Sequence, residues 1–277
     1  FSQQKGERKE IEVEGGAQTQ LFDIRADNYE ANKHYFLSNW FRDQYDIALQ
    51  SLPVVNSGVN ITRIEVWVVN QQANTQDVRN VIGFADLGEN QAYMSSNINV
   101  PSYVDDPNLA ITPNPSNLNN EIFSRVTSNP DIMGFSGANA AIAAEFPEFQ
   151  QGIHYERVGN ARKLSQSEYS FNTRLGFISL RQALNNAEVL AVSYEYTLNG
   201  ETFQVGTLSQ DGYTAPSALA LKMLKSSITQ VSLDNGDPSP MWDLMMKNVY
   251  SIGAFGVNRD NFRLDVWYND PSTGVDL

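Results

Sequence analysis

The segments VLAVSYEYTL at 189–198, Asn199-Gly200, and TFQVGTL at 202–208 decide the fold class of this chain. Two runs rich in β-branched and aromatic residues flank a dipeptide that accepts the positive backbone angles of a two-residue turn. That is the strongest short-range signature of a β-hairpin. A turn there sets Tyr196 opposite Phe203 and Tyr194 opposite Val205 on one face, cross-strand pairs of the kind that stabilise sheets. The chain is therefore read as antiparallel and β-rich.

Outward from the hairpin, ITRIEVWVV at 61–69 alternates, with Ile64, Val66 and Val68 on one side and Arg63, Glu65 and Trp67 on the other. Further strands are expected over 80–87, 153–164, 169–172, 177–180 and 262–268. An entry hairpin is expected from strands at 9–14 and 18–24 around Gly15-Gly16. Between Glu30 and Leu52 the period becomes helical, with Leu37, Trp40, Phe41, Tyr45, Ala48, Leu49 and Leu52 at i, i+3, i+4 spacing. Asp27 and Glu30 resemble a capping box for this helix, and Pro53 ends it. Shorter helices are expected near 118–126, 138–146, 216–226 and 241–248. The class is α+β, antiparallel and β-rich, with a few amphipathic helices and sandwich-like sheets. The Pro- and Asn-rich text from 97 to 130 reads as a connector. It divides the chain into an α+β half (1–97), a connector with short helices (98–151) and a β-rich half (152–277), unless the halves interleave in one domain.

Composition excludes several function classes. The 277 residues carry 19 Lys and Arg against 32 Asp and Glu, a net charge of −13. Nucleic-acid binders and proteins on anionic membranes rely on the opposite sign. With no Cys, disulfides, thiolate nucleophiles and Cys-ligated metals are ruled out. The 28 Asn favour turns between short strands, and point mildly to a mesophilic source. No run approaches the ~18 apolar residues of a membrane helix. A start at Phe1 without a basic-then-apolar leader reads as a piece of a longer protein.

Catalytic motifs are not indicated. His34, in the first turns of the expected helix, and His154, at a surface position of a strand, lack metal-site spacing. GFSG at 134–137 would need Gly at 138 to form a nucleophile elbow, and Ala138 stands there. Asp234-Asn235-Gly236-Asp237 fails the spacing of a calcium loop and reads as a turn. Asp105-Asp106 and the pair Glu145 and Glu148 read as solvated acids rather than a glycosidase pair. Asn60-Ile61-Thr62 fits a glycosylation sequon but opens a strand. One cluster stands out as a candidate partner interface: Trp242, Met245, Met246 and Tyr250, because Met and Trp suit adaptable binding surfaces. Core packing is the competing role for these residues.

Several long phrases carry a resemblance: EIEVEGGAQ (10–18), ADNYEANKHYFL (26–37), FRDQY (41–45), SGVNITRIEVW (57–67), PMWDLMMKNVY (240–250) and DPSTG (270–274). They closely resemble the SprA/Sov family, the giant outer-membrane translocons of type IX secretion in Bacteroidetes, linked to gliding motility. The resemblance implies a non-catalytic, cofactor-free domain of a protein-export channel that covers or gates the pore or docks partners. It implies a lipoprotein-type barrel shuttle and secreted cargo as partners. It places the domain at the outer membrane, on its extracellular or periplasmic face, without insertion of this segment into the bilayer. A barrel strand needs ~9–11 alternating residues repeated many times, and this chain is broken by helices. The alternative is a surface adhesin or carbohydrate-binding module, which requires neighbouring exposed Trp or Tyr rings on a strand face.

Overall fold

Asn199 and Gly200 adopt φ of 53° and 87°, and the strands on either side pair in the expected register, Tyr196 with Phe203 and Tyr194 with Val205. The computed structural model describes residues 22–69, 78–100, 114–253 and 262–267. The strands are β1 (His34–Phe36), β2 (Val59–Val68), β3 (Val78–Phe84), β4 (Tyr155–Lys163), β5 (Tyr169–Asn172), β6 (Phe177–Leu180), β7 (Leu190–Leu198), β8 (Glu201–Val205) and β9 (Leu219–Lys225). The helices are α1 (Asn39–Leu49), α2 (Ile122–Ser128), α3 (Pro130–Met133), α4 (Ala138–Glu145) and α5 (Pro240–Leu244). Two units arise: Glu30–Val249, which contains all of these elements, and a smaller one from Phe1–Tyr29 with Tyr250–Leu277.

In place of sandwich-like sheets, the larger sheet closes on itself. Its order runs β2-β4-β3-β9-β7, and β7 pairs back onto β2 along nearly its whole length. The result is a small five-stranded barrel with β8 appended through the hairpin. Only β3 and β9 run parallel. Closure removes the exposed edges that an open sheet presents. The barrel takes β2 and β3 from before the connector and β4, β7 and β9 from after it.

Trp67, Val81, Ala161, Ala191, Leu219, Leu221 and Met223 form one buried cluster. Gly83 admits the Met223 side chain, which lies 3.3 Å from where a Cβ would stand. The opposite face of the wall is also covered. Phe41 of α1 packs edge-on against Tyr194 and Tyr196, with centroids 6.1 and 5.7 Å away. A second, three-stranded sheet, β1-β6-β5, joins this layer.

Double-sided burial explains a correction. Residues 216–226, expected as a helix, contain β9, whose sequence LALKMLK is buried at every position. Ala, Leu, Met and Lys favour helices, but parallel pairing to β3 and burial on both faces override propensity. A strand buried on both sides shows no alternation to read. The expected helix from Glu30 is also shorter. His34–Phe36 pair with β6, and α1 is capped by Ser38, whose hydroxyl accepts from Phe41 N at 3.3 Å. Asp27 caps nothing and pairs with Arg25. Helix α2 begins four residues later than expected. The strands at 9–14 and most of 18–24 lie outside the described residues, and Phe22–Ile24 and Phe262–Trp267 form no strand.

The turn after β3 descends into a buried polar centre. Glu89 Oε1 accepts from Asn39 N and Nδ2 at 3.1 and 3.2 Å and pairs with Lys222 of β9 at 2.8 Å. Lys222 also donates to Ala85 O. Asn120 Nδ2 holds the turn through Asp86 O and Glu89 O, at 2.7 and 3.0 Å. Asp86 accepts from Tyr93 N and Met94 N, and burial pushes its carboxyl up to about 6 despite the opposing pull of Lys222. These bonds offset the cost of burying charge in a core, although Glu89 Oε2 has no hydrogen-bond partner among the described residues.

Candidate functional site

The structure separates the four interface candidates. Met245 and Met246 are buried, at 5% and 3% exposure. They bind α5 to β1: Met245 bridges Tyr35, its sulfur accepts from Asn32 N, and Met246 N donates to His34 O. Tyr250 belongs to the smaller unit, where its hydroxyl donates to Ala26 O. Trp242 alone of the cluster in the larger unit reaches the surface, half-buried on α5.

Pro240 occupies the first turn of α5, where its missing N–H costs nothing. Lys247 lies over the Trp242 ring at 4.8 Å and donates to Trp242 O at 2.8 Å. Burial pulls the Lys247 ammonium down, opposed by Asp243, which Arg42 of α1 also engages at 3.2 Å. The indole is thus held from its backbone side and by a cation on its face.

Beside it, the chain leaving β9 forms the other wall of a shallow depression of about 30 Å³, lined by Leu224, Ile228, Met241, Trp242 and Met245 among others. Lys225 anchors this wall through Asn186 O and Glu188 O, both at 2.7 Å, and burial lowers its ammonium. Ser227 N donates to Glu156 Oε1 at 3.0 Å. Ile228 packs over Gly152, where a Cβ would stand 2.5 Å from Ile228 Cδ1, yet Ile228 is 51% exposed and Val231 55%. Sequence reasoning missed both. Their only signal is two β-branched residues in the Ser- and Thr-rich text after a continuous apolar run.

The remaining candidates are held elsewhere. His34 sits in β1 rather than in a helix, its ring nitrogens 2.8 Å from Ser179 Oγ and 3.1 Å from Glu30 Oε2. His154 is half-buried rather than on the surface: its Nδ1 accepts from Gln150 N, its Nε2 faces Met94 O, and its ring stacks on Phe149. Burial lowers its pKa. Glu145 pairs with Arg125 and Glu148 with Ser95, so these acids are engaged apart, and Asp105-Asp106 lies outside the described residues. Asp234–Asp237 forms the expected turn, with Gly236 at φ +88°. Among the described residues no three His, Asp or Glu gather to hold a metal, and no helix is long and apolar enough to cross a membrane.

Fold and surface define a small β-barrel scaffold presenting an apolar depression. The family model SprA_N, described as motility related/secretion protein, matches residues 1–185, about two thirds of the chain. The chain belongs to that family, and envelope association fits it. No curated protein matches the chain.

Proposed function

We propose that this domain is a non-catalytic part of a type IX secretion translocon of the Bacteroidetes outer membrane, where it covers or gates the export pore or docks partner proteins. Membership of a motility and secretion family carries this reading. The surface supports it: a half-buried Trp beside exposed Ile228 on a closed barrel matches the rigid aromatic anchor with an apolar surround that protein interfaces use. Partners on this reading are other secretion components, such as a lipoprotein-type barrel shuttle and secreted cargo, and no cofactor takes part.

The surface-adhesin alternative requires neighbouring exposed rings on a strand face. Tyr194 and Tyr196 are fully buried and Trp67 is 2% exposed, which favours the translocon reading. The test is a photo-crosslinking residue placed at Ile228 or Val231 in the native protein. Discrete adducts with envelope proteins are expected. Adducts no more frequent than those from a probe at exposed Leu118 would overturn the docking role.

A further inference from the structure

A second concavity lies on another part of the larger unit. It encloses about 230 Å³ between α1, the start of β2, the β5–β6 turn and the β7–β8 turn. That is below the ~300–1,000 Å³ of sites for drug-sized ligands, and suits a single amino-acid residue. Its apolar part comes from Trp40, Phe41, Leu175 and Leu198, all buried. Its polar part includes the amides of Gln44, Asn56 and Asn199 and one full charge, Arg174. Among the described residues no carboxylate lines it, although the chain has 32 acids.

Arg174 is set in a turn held by hydrogen bonds. Asn172 Oδ1 accepts from both Arg174 N and Leu175 N at 3.0 Å. Ile61 N donates to Thr173 O at 2.8 Å, and Leu37 N to Gly176 O at 3.0 Å. The guanidinium spends one Nη2–H on Ser57 O, at 3.3 Å. Its other N–H groups find no partner among the described residues. Arg25, Arg42, Arg63 and Arg125 pair with acids, whereas exposed Arg174, like exposed Arg181, has no ion pair among the described residues. Arg174 lines a cavity of mixed apolar and polar walls.

We propose that this pocket binds the C-terminal residue of a peptide chain, its apolar side chain inside and its α-carboxylate on Arg174. A guanidinium fork matches a carboxylate in two parallel hydrogen bonds. Side-chain amides both donate and accept, as a peptide backbone requires. Against the repulsion that a net charge of −13 exerts on any anion, a local cation without acid neighbours in the lining supplies the recognition.

The test uses the 277-residue chain and isothermal titration with acetyl-Ala-Phe, its C-terminal amide, and phenylacetate. The acid peptide is expected to bind, the amide at least tenfold more weakly, and R174Q to reduce the acid to the amide's level with an unchanged melting temperature. R174K is expected to be intermediate, since an ammonium keeps the charge but not the fork. Equal binding of acid and amide, or no binding of the acid peptide, overturns the proposal. Phenylacetate binding as tightly as the peptide also overturns it, because the ligand would then be a small free acid.

Discussion

Lys222 Nζ lies 2.8 Å from Glu89 Oε1, with the two side chains 1% and 0% exposed. One residue comes from a barrel strand and the other from the turn after β3, so the pair fastens that turn to the barrel wall. Removing one partner strands a charge in the core. K222M is expected to cost about 3–5 kcal/mol, read as a lowered urea midpoint. The double variant K222M/E89L is expected to recover part of that loss, because it leaves no orphan charge but takes the acceptor from Asn39 N and Nδ2.

Asp86 gives the same centre a pH signature. Its carboxyl titrates near 6 in the folded protein against 3.8 for the ordinary group, so the folded state holds a proton that the unfolded chain has released. Its stabilising contribution is full below 3.8 and is lost as pH rises through 6. D86N keeps an acceptor for Tyr93 N and Met94 N. Chemical denaturation of D86N across pH 4–7 is expected to lack the decline that the parent shows in that window.

Tyr196 ties the connector to the barrel. Its hydroxyl donates to Pro115 O and accepts from Asn114 Nδ2, both at 2.6 Å. Y196F leaves these buried partners unpaired, at a cost of about 1–3 kcal/mol. Faster hydrogen exchange is expected around 114–120, with little change in β2.

Gly176 at φ +63° would place a Cβ 2.1 Å from Phe41 Cδ1. G176A combines left-handed strain with a clash against a core ring, and is expected to destabilise by at least about 2 kcal/mol. Thermal unfolding reads the loss directly.

The hairpin register was legible because Asn-Gly fixes the turn and alternation fixes the face. Strands β5 and β6 and helix α4 followed from the same local signals. Barrel closure was not, since it rests on β2 meeting β7 more than a hundred residues away, which no local period encodes. Strand β9 was hidden by burial on both faces, and β1 by a helical reading that begins at Glu30, nine residues before α1. The surface residues were harder still. Met245 and Met246 carried the composition of a contact surface and lie in the core, whereas Ile228 and Arg174 sit in ordinary turn text. Their surroundings come from the fold, which sets Ile228 beside Trp242 and Arg174 in a cavity that no carboxylate lines among the described residues.

The central claim, that this domain is a working part of an export channel, is tested most directly in cells. Glu30–Val249 would be replaced by a short flexible linker in the native protein, envelope localisation confirmed, and release of secreted proteins measured. A fall of at least tenfold in release, with the protein still in the envelope, is the predicted result. Undiminished release would contradict the account.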